Sequence, residues 1–167
     1  MQTMASEVEK PAHLRRRPQR RPAVADPGTT LLPFSPGHLA ELDLPPLLRP
    51  SLRLFAMGYH RGGPALTVVD NGKVEACAGL MIDGSDATAW AFLSLTLRRR
   101  ARQRLYRSFR HTLPKLKRCH GLERILAEAH PDHLPSRLWL EHLGFRFDGL
   151  APRCPIRSER TLRYLYR

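Results

Sequence analysis

The sequence predicts an α/β domain: a mixed, twisted central sheet with helices on both faces, preceded by a disordered basic arm. Three observations carry this. Short apolar runs broken by Asn-Gly and Gly turns read as strands. A long amphipathic helix, Arg98 to Arg118, follows one of them directly. Last comes a strand–helix–strand unit over Glu123–Phe147, whose helix stops at Gly144. A sheet that alternates with helices in this way must bury both of its faces.

The 167 residues suffice for one domain. Residues 1–28 form the expected arm. They are polar and proline-bearing, and carry the block Arg15-Arg16-Arg17-Pro18-Gln19-Arg20-Arg21. Such a segment buries too little apolar surface to offset ordering entropy. It reads as a solvated tail or as an arm that touches nucleic acid. Residues 29–167 form the folded body. Thr30–Phe34 is the first strand, and Pro36–Leu44 and Pro46–Met57 are short helices parted by Pro45-Pro46. Strands Ala65–Val69 and Val74–Ile82 flank Asn71-Gly72, a hairpin signal because both residues accept positive φ. After the turn Asp83–Asp86 comes the strand Thr88–Leu95, then the basic helix. Glu123–Ala129 is the next strand. Asp132 and Ser136 offer N-cap oxygens to the following helix, and Pro135 suits its first turn. Phe145 and Phe147 alternate around Arg146 as in a half-buried strand. Thr161–Arg167 closes the sheet with Leu162, Tyr164 and Tyr166 on one side.

Charge narrows the partners. Lys and Arg number 28 against 15 Asp and Glu, a formal charge of +13 with pI ≈ 10.9. Such a field favours nucleic acid, phosphorylated cofactors, acidic proteins or anionic surfaces. Three scattered cysteines, Cys77, Cys119 and Cys154, form no CxxC pair, which argues for a reducing compartment. No apolar run approaches a membrane span of about 18 residues, and the N-terminus shows no apolar secretory core. The expectation is a soluble protein of the cytoplasm. Cys119, His120, His130, His133 and His142 cluster in the sequence without a paired Cys motif, so no metal is expected. Trp90 and Trp139 read as core residues.

The basic helix holds ten Lys or Arg and no acid, with Ala101, Leu105, Phe109, Leu113 and Leu116 as its apolar stripe. Pro114 kinks its last turns. A strand running into a helix N-terminus presents free N–H groups and a positive dipole end. Arg98, Arg99, Arg100 and Arg102 add charge there. Three readings stand side by side: a phosphate site, a solvated cationic face, and a DNA-contacting helix.

With these elements in order, Thr67–Phe147 resembles the core of the GNAT N-acetyltransferase superfamily. The carriers are hairpin, strand, basic helix, strand, then a helix ending Leu143-Gly144-Phe145. They cover roughly half to two-thirds of the chain. The resemblance is strongest to a phage-encoded GNAT-like group. Its members open the third strand with tryptophan, place Ser or Thr four residues later, and end the last helix in W-L-x-x-L-G-F. This chain has Trp90, Ser94 and Trp139-Leu140-Glu141-His142-Leu143-Gly144-Phe145. Members occur among virion proteins of short-tailed phages.

The resemblance implies a GNAT-like sheet whose strand Glu123–Ala129 splays from its neighbour and leaves a slot for acyl-CoA. It implies acetyl-CoA as co-substrate and attack of an amine on the acetyl carbonyl. Cofactor contacts fall to the backbone N–H groups of Leu93, Ser94 and Leu95 and to Arg98, Arg99, Arg100, Ala101 and Arg102. Glu128 and His130 are candidate bases, and Tyr106 is a candidate acid toward the thiolate. Their plain alternatives are an arginine partner for Glu128 and a turn before Pro131 for His130. Two departures from the family pattern stand out. The glycines of Q/R-x-x-G-x-G/A are missing from Leu97–Gln103, and the position of the family's helix tyrosine is Leu140. Both favour an alternative to the N-acyltransferase: a catalytically degenerate GNAT-fold virion or assembly protein, binding DNA or virion proteins through its basic arm and helix. The expected location is the cytoplasm of a bacterial host, or the virion.

Overall fold

A computed structural model describes residues 28–46, 48–152 and 160–167. The basic arm and Cys154 lie outside them. In chain order the elements are β1 (Thr29–Pro33), α1 (Pro36–Glu41), α2 (Arg49–Arg61), β2 (Ala65–Asp70), β3 (Lys73–Asp83) and β4 (Asp86–Leu93). There follow α3 (Arg99–Cys119), β5 (Arg124–Ala129), α4 (Leu134–Leu143), β6 (Arg146–Leu150) and β7 (Leu162–Tyr166). The seven strands form one sheet in the order β1-β2-β3-β4-β5-β7-β6. All neighbours are antiparallel except β4 and β5, which run parallel because α3 crosses between them.

The expected turns form where backbone chemistry demands them. Asn71 and Gly72 take φ of 50° and 77° and join Asp70 to Lys73 as a two-residue hairpin loop. Gly144 takes φ 97° at the end of α4, and a Cβ there would also sit 3.2 Å from the Tyr166 ring. Boundaries differ from expectation where proline and capping intervene. α1 ends at Glu41 and α2 begins only at Arg49, since each residue before Pro45 and Pro46 is pushed out of the helical region. Leu42 and Leu44 stay buried without a helix. The cap of α4 is His133 rather than Asp132 or Ser136; its Nδ1 lies 2.7 Å from Ser136 Oγ. Phe145 is buried, but Phe147 is 60% exposed, because β6 is an edge strand with one open side. α3 continues through Pro114 to Cys119.

Two apolar layers sandwich the sheet. On one side Ala101, Leu105, Phe109 and Leu113 of α3 and Leu140 and Leu143 of α4 pack on Val68, Ala78, Leu80, Ile125, Ala127 and Tyr164. Each such buried Leu or Phe contributes about 1.5–3 kcal/mol. On the other side α1 and α2 bring Leu39, Leu52 and Ala56 onto Val74, Cys77 and Trp90. A chain of contacts pins α1 there. His38 Nδ1 accepts from the Ser35 N–H at 3.2 Å and lies 2.8 Å from Thr67 Oγ1, which is 3.6 Å from Cys77 Sγ.

Candidate active site

β4 and β5 are clamped at one end and parted at the other. At the closed end Asp86 and Arg124 stand opposite each other and form a bidentate pair, with Arg124 Nε donating to Asp86 Oδ1 at 2.9 Å and a second bond through Nη2. The guanidinium holds the Asp86 carboxyl below the usual carboxylate range. Pairing proceeds to Ala89–Ala127 and stops. β4 runs on to Leu93 and β5 to Ala129, so the two strands form a fork.

Register decides what faces the fork. Ser94 opposes Glu75 and its N–H bonds to the Glu75 carbonyl at 2.9 Å. Antiparallel pairing alternates bonded and non-bonded positions, so Leu93 and Ala91 direct their main-chain groups away from β3, toward β5. Of the three amides expected to hold a ligand, Leu93 therefore remains. Ser94 is committed to Glu75, and Leu95 donates to the Asp43 carbonyl at 2.8 Å. The buried Ser94 hydroxyl meets Thr96 Oγ1 at 3.2 Å, closing the turn into α3. Ala91 was not among the expected residues; only a register shows its direction.

The side chains of the fork divide by face. Trp90 and Phe92 project toward α1 and α2, where Tyr59 meets them at ring distances of 4.7 and 5.3 Å. On the opposite arm Glu128 alternates with Ala127 and Ala129, both in the α3–α4 core, and so shares the face of Trp90. Glu128 is exposed and accepts from Thr161 Oγ1 at 2.9 Å. His130 follows, but its Nδ1 accepts the Asp132 N–H at 3.2 Å, so that lone pair is committed to a turn.

The entry to α3 differs from the sequence expectation. Arg98 is its N-cap, and its half-exposed guanidinium is engaged by two acids. Its Nη1 donates to Asp70 Oδ2 at 3.2 Å, its Nε lies 4.0 Å from Glu75 Oε1, and its backbone N–H meets Glu75 Oε2 at 3.4 Å. Both carboxylates are buried, and Asp70 also accepts from Thr29 Oγ1 at 2.7 Å. Glu75 reaches α3 because it is the extra residue of a bulge: Val69 pairs with Val74 and Val68 with Ala76. Two acids absent from the expected site thus stand beside it. The one signal in the sequence is a lone Glu inside an apolar strand. Arg99, Arg100 and Arg102 are exposed. The Ala101 side chain is fully buried, so only its amide borders the site. Within the helix, bonding begins with Arg102 N–H to the Arg98 carbonyl at 3.0 Å.

Tyr106 does not join this group. Its hydroxyl donates to the His142 carbonyl at 3.1 Å, at the far end of a ten-residue helix about 15 Å long. It receives Arg110 Nη1 at 2.9 Å and acts as a tie between α3 and α4. Leu140 is core, and Tyr164 is buried with its hydroxyl held by Arg137 Nε at 3.3 Å. Burial pushes the Cys77 thiol up to about 11, which leaves it protonated and inert near neutrality. Among the described residues no three His, Cys, Asp or Glu side chains converge as metal ligands, and no helix is long and apolar enough to cross a membrane.

No protein-family model matches the sequence, and no curated protein matches it. Solved structures do match. Ard1 from Thermoplasma volcanium aligns at TM-score 0.65 and 15% identity, over 83% of this chain and 97% of its own. The microcin C7 self-immunity acetyltransferase MccE, solved with acetyl-CoA and AMP, aligns at 0.61 and 14%, over 83% and 92%. The ribosomal-protein-S5-alanine acetyltransferase from Vibrio fischeri aligns at 0.59 and 14%, over 83% and 92%. With its parted parallel strands and the helix between them, the chain has the fold of the GNAT acetyltransferases.

Proposed function

We propose that this protein is an acetyl-CoA-dependent N-acyltransferase acting on an amine. The observation that carries the reading is the fork: β4 and β5 part after Ala89–Ala127, beside the first turn of α3. The residues fit an extended acyl-CoA arm in two respects. Ala91 and Leu93 turn main-chain groups into the gap where β5 no longer pairs with them. Arg99, Arg100 and Arg102 supply exposed cations where a pyrophosphate would lie. Bound acetyl-CoA supplies the acyl carbon and a thiol leaving group. Glu128 takes the proton that the acceptor ammonium must lose before attack. The Leu93 amide donates to carbonyl oxygen in the gap. No described side chain stands in for the family's tyrosine at Leu140, so solvent protonates the departing thiolate. The work is assigned to the cytoplasm of a bacterial host.

A second reading rests on the start of α3. Arg98 is consumed by Asp70 and Glu75, the glycines are missing, and a carboxylate stands 3.4 Å from the cap amide. In that reading the chain is a GNAT-fold phage virion or assembly protein without turnover. Its basic surface engages DNA or other virion proteins, and Trp90, Ser94 and the Trp139–Phe145 signature supply the phage assignment.

Calorimetric titration of acetyl-CoA at near-physiological salt decides between them. The transferase reading expects micromolar binding that weakens about tenfold in the Arg99→Ala, Arg100→Ala double variant, since two phosphate-facing charges are lost. It also expects thiol release with at least one member of an amine panel, and loss of that release in Glu128→Gln. Absence of binding by the wild-type chain would overturn it.

A further inference from the structure

The outward side of α3 is unexplained by the fork. The helix sits on the sheet through Ala101, Leu105, Phe109 and Leu113. Away from that seam, Arg100, Arg104, Arg107, His111, Lys115 and Arg118 recur at spacings of four, three, four, four and three. They form one stripe about 27 Å long, and only its first turn borders the fork. Arg104, Arg107, Lys115 and Arg118 are exposed, and among the described residues none of these four is in an ion pair.

This arrangement opposes folding. Like charges three and four residues apart repel one another on a helix. Arginines in the first turn stand at the positive end of the helix dipole. A helix face that only meets water relieves this with acids, and α3 has none. Among the described residues no acid pairs with Arg104, Arg107, Lys115 or Arg118, so their compensating charge is sought in a partner. It must be dense and regular enough to meet a stripe of this length.

We infer that the outward face of α3 docks on the phosphate backbone of duplex DNA. A duplex presents one negative charge per roughly 1.7 Å of axis, so a stripe of this length meets phosphates throughout. A helix of about 10–12 Å diameter fits the wide major groove of B-form DNA, and the A-form groove of duplex RNA excludes it. A single strand is held mainly by stacking. Among the described residues the partly exposed aromatics beside α3 are engaged elsewhere: the Tyr106 hydroxyl is tied to His142 and Arg110, Trp139 packs on Phe109, and Tyr166 packs on Phe145. With arginine and lysine meeting phosphate, binding is indifferent to sequence. The inference builds on the basic-surface reading above but does not require that the fork be inactive.

The test is fluorescence anisotropy with a labelled mixed-sequence DNA duplex of about two helical turns, titrated by the full chain over a salt series. One variant combines Arg104→Gln, Arg107→Gln, Lys115→Gln and Arg118→Gln. A charge-matched variant combines Arg15→Gln, Arg16→Gln, Arg17→Gln and Arg20→Gln in the arm. The helix variant is expected to bind about tenfold or more weakly, and its salt slope to fall by about three to four; the arm variant keeps most of the affinity. If the wild-type chain does not bind DNA, the inference and the basic-surface reading both fall. If it binds but the helix variant matches it, or both variants lose equally, this inference alone falls. Equal or tighter binding of an RNA duplex or of polyglutamate would overturn the assignment to DNA. Thermal unfolding supplies a second readout. Relief of repulsion makes the helix variant at least as stable as wild type, and a marked fall in its melting temperature would show that the stripe serves the fold instead.

Discussion

At Arg98 and Glu75, residues 23 positions apart meet at the start of α3, where an anion would be received. Arginine at a helix start reads as a phosphate ligand. Here its guanidinium is drawn to Asp70 and Glu75, because two buried carboxylates without a cation would be strongly destabilised. Glu75 also places negative charge beside the amide that a phosphate would use. Glu75→Gln keeps the size and removes that charge. We expect it to tighten acetyl-CoA binding by about threefold to tenfold, the effect of one unscreened charge at close range. Weaker binding in a folded Glu75→Gln protein would show that the carboxylate organises the site rather than opposing it. Beyond a lone Glu inside an apolar strand, none of this was legible in the sequence. A bulge aims Glu75, and a bulge is a property of pairing between strands, invisible along one of them.

Among the elements, β4 and β5 matter most, since one pair of strands is both clamp and opening. Asp86 and Arg124 hold the closed end. The folded Asp86 carboxyl titrates below its ordinary range, so its contribution is present above the unfolded value. It is lost as pH falls through the lowered one. The pair is at the surface and screened by salt, so its effect is local. Asp86→Asn is expected to lower the amide protection factors over 87–89, with wild type falling to the same protection factors when acidified. Unchanged exchange in the variant would mean that sheet packing alone holds the fork shut there. The elements themselves were largely readable. Asn71-Gly72 and Gly144 mark positive φ, and the spacing of Ala101, Leu105, Phe109 and Leu113 gives the seam of α3. The roles of Tyr106 and Ser94 were not, because each depends on a partner from a distant element. Tyr106 is tied to His142, and the Ser94 amide to Glu75.

On the scale of the molecule, a formal charge of +13 is spread over 167 residues. Self-repulsion of that size weakens the compact state, and salt screens it. The melting temperature should therefore rise by a few degrees between about 10 mM and about 150 mM monovalent salt, where the Debye length shortens from about 30 to about 8 Å. A melting temperature that stays level or falls would show that attractive pairs such as Arg98–Asp70 outweigh the repulsion.

The strand order β5-β7-β6 puts the last-made strand between two made before it. During synthesis β5, α4 and β6 emerge with an empty lane between the two strands. Until residues 162–166 leave the ribosome, β5 lacks its antiparallel neighbour and β6 has no neighbour at all. Tyr164, the largest of the fully buried side chains among the described residues, arrives only with β7. A chain that has made β6 but not yet β7 therefore carries unpaired β edges, a stage at which pairing with another chain is the chief hazard.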